Sequence, residues 1–339
     1  LNILGIESSC DDTAASVLTE AGVLSNVIAS QSIHIQFGGV VPELASRAHH
    51  QSISQTVDQA LSEAGISIED IEGIAVTQGP GLMGSLLVGL SFAKGLALNY
   101  GIPLIGVNHM DAHIYANAIE HTLEYPFIAL TVSGGHTQLT KITAPFQHEI
   151  IGKTRDDAAG EAFDKIGKIL GLAYPAGPKI DALAKNGHPA FRKFPQGLVH
   201  EGLDFSFSGL KTSVLYFLQD QSPDVIQKHL PDICASVSEA ITEVLVKKLD
   251  RAMEEHGISR AVIAGGVSAN SMLRDKIDVL SKEKSVTIYT PSMAFCTDNG
   301  AMIAQTGALL FQHVYSIRKP AELLAEGLRL HPYAGQPSS

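Results

Sequence analysis

Twice along this chain an apolar strand-like run ends in a short turn of small or polar residues, is answered by a returning strand, and is followed by helices alternating with further strands. In the first half, residues 1–7 read as a strand, Ser8-Ser9-Cys10-Asp11-Asp12 as the turn and residues 13–18 as the return. A helix over residues 42–64 follows, with apolar positions at helical spacing. Then come a strand at 73–77, the turn Gly79-Pro80-Gly81, a helix through Tyr100 and a strand at 104–107. The second half repeats the order, with a strand at 127–132, the turn Ser133-Gly134-Gly135 and a return over 136–142. Helices are predicted at 158–170 and, as one long element, 223–256. A strand at 261–264 runs into Gly265-Gly266-Val267-Ser268, a helix starts near Asn270, and a strand at 285–290 precedes a helix at 300–311.

Two meanders, each followed by crossover units, predict a pseudo-symmetric two-lobed α/β protein with its ligand between the lobes. Residues 1–108 are expected to form the first lobe and 109–299 the second, with a C-terminal helix at about 300–330 packing back on the first. A chain of 339 residues is long enough for two such cores. The most apolar stretch, 82–100, contains Ser85, Ser91, Lys94 and three glycines, and reads as a buried helix rather than a membrane span. Cys10, Cys234 and Cys296 are scattered with no CxxC pair, which excludes a disulfide framework and a thiolate zinc site. With no secretory leader pattern either, a cytoplasmic location is expected. The net charge of -11 excludes a generally nucleic-acid-coating surface. Basic patches remain at Lys153-Thr154-Arg155 and Arg192-Lys193.

Chemistry concentrates in two places. His109 and His113 are four residues apart, about 40° on a helix, and so share one face. With Asp298, in Cys296-Thr297-Asp298-Asn299-Gly300, they make a three-ligand metal set that leaves coordination positions open. The other place is the glycine turns. Ser133-Gly134-Gly135-His136 and Gly265-Gly266-Val267-Ser268-Ala269-Asn270 follow buried strands, where backbone N–H groups can approach an anion. Neither is a Walker A loop, and no G-x-G-x-x-G follows the first strand. Four such turns together favour a nucleotide-type ligand. Gly135 is the position expected to tolerate a side chain least. Asp11, Asp12, Asp164 and Asp181 are further candidates for ribose, metal or proton work. Asp156, Asp157 and Glu161 read as charge compensation at helix N-termini.

The motifs Ile6-Glu7-Ser8-Ser9-Cys10-Asp11-Asp12-Thr13, Gly38-Gly39-Val40-Val41-Pro42-Glu43-Leu44-Ala45-Ser46-Arg47, the His109/His113 pair, Val132-Ser133-Gly134-Gly135-His136-Thr137, Gly160-Glu161-Ala162-Phe163-Asp164-Lys165, Phe205-Ser206-Phe207-Ser208-Gly209-Leu210-Lys211-Thr212 and Ala264-Gly265-Gly266-Val267-Ser268-Ala269-Asn270 occur in one order. Together they resemble the Kae1/TsaD family of tRNA threonylcarbamoyltransferases over nearly the whole chain. The resemblance implies the actin-like ATPase (ASKHA, duplicated RNase H-like) fold. It implies transfer of threonylcarbamoyl from threonylcarbamoyl-AMP to the exocyclic amine of the adenosine 3′ of the anticodon in tRNAs reading ANN codons. It implies one divalent ion on His109, His113 and Asp298, usually Fe2+, with Zn2+ or Mg2+ as alternatives. Nucleotide contacts carried over position by position are Thr131, Val132, Ser133, Gly134, Gly135, Asp164, Gly177, Asp181 and Asn270. The implied partners are tRNA, a paralogous TsaB-type subunit and a small P-loop ATPase of TsaE type. The chain departs from the family with Asp12 and Asp111 where Glu is common, and Ala176 where Gly is common.

Such chemistry suits the residues. The acyl donor is already activated, while an adenine amine is a poor nucleophile, so orientation and charge stabilisation are what a protein must add. His136, Asp11 and Asp12 are candidates to take the amine proton. A metalloendopeptidase needs Glu beside the first histidine, and Met110 stands there. A small-molecule kinase of the same fold leaves the histidine pair unexplained.

Overall fold

Both meanders form, and each seeds a five-stranded sheet. The structure is a computed structural model that describes residues 1–335 apart from 314 and 317. The elements in chain order are β1 (Ile3–Glu7), β2 (Asp12–Thr19), β3 (Gly22–Ser30), α1 (Pro42–Ala64), β4 (Gly73–Gly79), α2 (Met83–Tyr100), β5 (Leu104–Asn108) and α3 (His109–Tyr115). Then follow β6 (Phe127–Val132), β7 (Thr137–Ala144), β8 (Gln147–Lys153), α4 (Ala159–Ile169), α5 (Gly177–Ala184), α6 (Ser208–Gln219), α7 (Pro223–Lys228) and α8 (Leu230–His256). The chain continues with β9 (Arg260–Ala264), α9 (Ser271–Lys284), β10 (Thr287–Tyr289), α10 (Gly300–His313) and α11 (Pro320–Gly327).

Contacts divide the chain into one unit of Leu1–Thr122 with Thr297–Ser339 and another of Leu123–Cys296. The sequence places the first boundary at 108/109; the contacts place it after α3, because α3 packs on α10. The expected helix at about 300–330 is two helices, α10 and α11, and positions 314 and 317 within that range lie outside the described residues.

In the first unit the strand order is β3-β2-β1-β4-β5. The meander is antiparallel, and β4 and β5 add in parallel beside β1. All five residues of β1 are buried, which is why it reads as a continuous apolar run. One core of Leu4, Ile6, Val17, Ile53, Ile74 and Leu90 joins the sheet to α1 and α2. α10 approaches the sheet more closely than side chains normally permit. A Cβ on Gly5 would lie 2.3 Å from the Gly300 carbonyl and 2.5 Å from Ala304 N, and one on Gly307 would lie 2.4 Å from Ala75 Cβ. Glycine at these positions lets α10 lie against the sheet and sets where Asp298, just before it, stands. Adding a methyl at Gly5 is overpacking, worth about 1–3 kcal/mol of destabilisation.

The second unit has the order β10-β9-β6-β7-β8, the same topology with β6 in the place of β1. Its core of Ile128, Leu130, Phe163, Ile241, Leu245 and Ile263 gathers around α8. The helix expected over 223–256 is broken into α7 and α8. Pro231 has no N–H to donate and its ring excludes a helical carbonyl four residues earlier, so a new helix begins there. β10 is shorter than expected, because Ser285 takes a left-handed φ of 53° and ends α9.

Candidate metal centre and anion-binding turns

α3 is only seven residues long, and an isolated helix of that length does not form. Its start is fixed by Asn108, whose side-chain oxygen accepts from Met110 N (2.9 Å) and Asp111 N (3.2 Å). Asn108 Nδ2 in turn donates to Tyr333 Oη (3.0 Å). Six of the seven residues are buried, both histidines among them. Asp298 is delivered by the turn before α10, where Asn299 Oδ1 accepts from Met302 N (2.9 Å).

The three expected ligands converge. Asp298 Oδ1 lies 3.1 Å from His113 Nε2 and 3.5 Å from His109 Nε2, and one ligand atom from each residue lies within 4.8 Å of the others. A coordination sphere at 2.0–2.2 Å has ligand–ligand edges of roughly 3.0–3.6 Å, which these two separations match. Both ring nitrogens of His113 are buried without a well-formed hydrogen bond. A buried orphan nitrogen is destabilising unless something else satisfies it. Two imidazoles, a carboxylate and an orphaned ligand atom fit a divalent ion.

Charge is tightly coupled here. Burial disfavours a charged His109, but Asp298 and Glu7 outweigh it and raise its pKa to about 9. Burial likewise pushes Asp298 up, yet His109's charge and the approach of His113 hold it at about 2. Glu7 is fully buried, and burial raises it, but His109 brings it below the ordinary carboxylate range. Asp12 is raised to about 6, first by burial and then, against a hydrogen bond from Ser30, by Asp298, Asp11 and Glu7.

Two residues with no role assigned from the sequence hold the first turn in place. Glu7 accepts from Ser9 N and from Thr77 Oγ1 (2.6 Å), and its Oε2 lies 3.1 Å from His109 Nδ1. His49, on α1, donates from Nε2 to the Cys10 carbonyl (2.9 Å), which leaves Nδ1 to accept from Thr13 Oγ1 (2.7 Å). The signal for Glu7 was present, since it is a carboxylate ending a strand otherwise apolar enough to be buried.

The nucleotide-side candidates all lie in the second unit. Thr131 and Val132 end β6, and the Thr131 hydroxyl is buried without a partner. In the turn, Ser133 N donates to the His136 carbonyl (2.8 Å) and His136 N to Ser133 Oγ (3.1 Å). Gly160 N, at the start of α4, donates to the Ser133 carbonyl (3.2 Å). The remaining candidates form a relay between helix N-termini. Asp164 on α4 accepts from Ala176 N (2.7 Å) and Gly177 N (3.4 Å), where α5 begins. Asp181 on α5 accepts from Ser271 N and Ser271 Oγ, where α9 begins, and Asn270 caps α9 through Leu273 N (3.0 Å).

The expectation for Gly135 is corrected in one respect. Neither Gly134 nor Gly135 takes a left-handed φ, and a Cβ at either would meet nothing within 4 Å. The sterically constrained glycines are Gly160, whose Cβ would lie 2.5 Å from the Ser133 carbonyl, and Gly265, with φ +86° and the Val132 carbonyl at 2.4 Å. Charge compensation at helix N-termini does hold for Asp156, but for a different helix. It accepts from Phe207 N (2.8 Å) and Ser208 N (3.2 Å) at the start of α6.

The profile of the TsaD family, described as tRNA N6-adenosine threonylcarbamoyltransferase, matches residues 22–305. A relative of that name from Christiangramia forsetii is 53% identical over 314 residues, covering 91% of this chain and 92% of the relative. Another from Chlorobium phaeobacteroides is 51% identical, covering 92% and 93%. Among solved structures, full-length HypF in its phosphate- and nucleotide-bound form aligns with a TM-score of 0.61 at 13% identity, over 94% of this chain and 47% of that one. HypF of T. kodakarensis gives 0.60 at 16% identity, over 96% and 48%. At these identities the likeness shows the fold alone, the two-sheet α/β architecture described above.

Proposed function

The chain belongs to the TsaD family, the tRNA N6-adenosine threonylcarbamoyltransferases, and from that premise we propose how its residues divide the work. It is a transferase that places a threonylcarbamoyl group on N6 of an adenosine in tRNA, in t6A biosynthesis. The peptidase and small-molecule kinase alternatives are not favoured: the relatives carry the transferase name, and Met110 occupies the place of a peptidase's general base.

The donor is threonylcarbamoyl-AMP, held in the second unit by the turn Ser133-Gly134-Gly135 with Thr131, Val132, Asp164, Gly177, Asp181 and Asn270. What supports this is that the exposed glycines leave room at a turn, and that Asp164, Asp181 and Asn270 tie down the helix N-termini where anions are stabilised. His109, His113 and Asp298 hold a divalent ion, which we take to be Fe2+. When bound, it supplies Lewis-acid stabilisation of negative charge on oxygen. The convergence of these three ligand atoms on an orphaned His113 is the observation that carries the reading. Among the proton acceptors named from the sequence, Asp12 is raised to about 6 by burial and its acidic neighbours, toward the range a base working near pH 7 requires.

Further proposals concern partners and place. A paralogous subunit pairs with the first unit through α1 and α2, supported by the exposed apolar side chains Met83, Leu87 and Leu98 along α2. A small P-loop ATPase completes the set. Arg192 and Lys193 contribute to tRNA binding, both being exposed. Among the described residues no helix is long and apolar enough to cross a membrane, and we propose a cytoplasmic protein. The test is reconstitution with threonylcarbamoyl-AMP, tRNA and partner subunits, followed by mass analysis of the nucleosides. Unmodified adenosine in the presence of intact donor refutes the reading.

A further inference from the structure

Glu7 is the last residue of β1, in a strand whose five residues are all fully enclosed, and its carboxylate has no lysine or arginine partner among the described ion pairs. Three donors converge on it instead. Ser9 N–H serves Oε1, and Oε2 takes Thr77 Oγ1–H at 2.6 Å and faces His109 Nδ1 at 3.1 Å. An ionised carboxylate accepts only, so the nitrogen it faces must carry the proton. On the opposite side of the same ring, Nε2 points toward Asp298 Oδ1, the atom His113 Nε2 also approaches.

We infer that Glu7 is the positioning residue of the metal centre: its carboxylate holds a proton on His109 Nδ1, so that Nε2 is the nitrogen that presents its lone pair to an entering divalent ion. The inference rests on the metal set proposed above. A ring nitrogen can ligate only when its proton is elsewhere, and the hydrogen bond made by the other nitrogen decides which one that is. Thr77 and Ser9 hold the carboxylate in register, so the device spans the ends of β1 and β4 and the turn between β1 and β2. A second possible partner of Nδ1, Ser9 Oγ at 3.3 Å, is a hydroxyl that can donate or accept, and by itself sets no tautomer.

The consequences of Glu7→Gln can be worked through. A primary amide has one accepting and one donating end. If the NH2 faces Ser9 N–H, two donors meet in a buried site and the turn is pushed out of register. If it faces His109, Nδ1 must become the acceptor and the proton moves to Nε2, where it blocks ligation. Either arrangement weakens the ion's hold, although the side chain keeps its shape.

The experiment is a Zn2+ titration by chelator competition on the full chain, as wild type, Glu7→Gln, Thr77→Val and His113→Ala. A hydrogen-bond partner on the other ring nitrogen of a metal-bound histidine contributes about 10–100-fold in affinity, so Glu7→Gln should bind that much more weakly than wild type. Thr77→Val removes one of the bonds that hold this carboxylate in register but leaves the His109 contact, and should weaken binding less than Glu7→Gln does. Long-range 1H–15N correlation on the Zn2+-loaded wild type should show His109 protonated on Nδ1 and bound through Nε2. That measurement needs no variant to fold. Wild-type affinity in folded Glu7→Gln, or His109 bound through Nδ1, overturns the role of Glu7 and leaves the metal set standing. Undiminished affinity in His113→Ala removes the metal set, and the inference with it.

Discussion

The methyl of Ala176 occupies the space that a side chain on Gly167 would need. A Cβ on Gly167, inside α4, would lie 2.1 Å from Ala176 Cβ, well inside van der Waals contact. Ala176 is 1% exposed and its N–H is held by Asp164 at 2.7 Å, so it has little freedom to retreat. Gly167→Ala gains roughly 0.5–1 kcal/mol of helix propensity and loses about 1–3 kcal/mol to overpacking. Net destabilisation of about 1 kcal/mol is expected. Ala176→Gly alone removes one buried methyl, worth about 0.8 kcal/mol. The double variant restores one methyl across the contact and keeps the helix gain, so it should equal or exceed wild type. The signature is a favourable coupling of about 1–3 kcal/mol in the double-mutant cycle. Equilibrium urea unfolding of the four proteins measures it, with hydrogen exchange at the Ala176 and Gly177 amides reporting the α5 N-terminus directly. Additive single effects would refute the claim that these two positions share one methyl's space.

His109→Ala, His113→Ala and Asp298→Ala should each lose bound metal and transferase activity while staying folded; full metal occupancy in Asp298→Ala, by elemental analysis, removes Asp298 from the set. Because His109 is raised to about 9 without metal, an entering ion must displace its proton. Apparent affinity should therefore rise about tenfold per pH unit below pH 9 and flatten above it, as competition titrations will show. In the metal-free protein the same group's contribution to stability is full below its ordinary pKa near 6.5 and is lost as pH rises through about 9, so urea midpoints should fall across that window. Gly135→Ala should keep its fold and metal but bind the acyl-adenylate about tenfold to a hundredfold more weakly, an expected loss of about 1.4–2.8 kcal/mol; unchanged adenylate affinity by calorimetry removes the cradle. Leu87→Glu should abolish pairing with a paralogous subunit in gel filtration, and an intact heterodimer places that interface elsewhere.

Periodicity located most of what it could. α1 was legible to the residue because a prolyl start and Gly65 bracket a clean helical pattern. A third strand is expected in each meander, but the bounds of β3 and β8 are not legible, since edge strands bury only some of their residues. α5 and α6 are hidden among short apolar runs, and Pro231, inside the expected 223–256 helix, opens α8 instead. In the site, the histidine pair was legible because four-residue spacing is a local property. Tyr333 is not, because its role exists only once the residues after α11 lie beside α3; Glu7 is legible as a carboxylate in a buried strand, but its pairing with His109 exists only once β1 lies beside α3. The steric limit at Gly135 is not legible, since sequence does not reveal which glycine of a turn has a neighbour in its Cβ direction. That neighbour belongs to Gly160 and Gly265.

The first unit is split in sequence, and this sets an order of events during synthesis. The second unit is continuous, so it can fold as soon as it has left the ribosome. The first cannot finish, because β1 and β4 wait for α10 to cover the face that Gly5 and Gly73 leave open. At about 5–20 residues per second, Asp298 emerges roughly ten to forty seconds after His113. Throughout that interval the histidine pair has no carboxylate from Asp298, and the apolar strands of the first sheet lack their helix. A nascent chain stalled within this window would be the aggregation-prone and chaperone-dependent form, and metal would enter only after translation has passed the turn before α10.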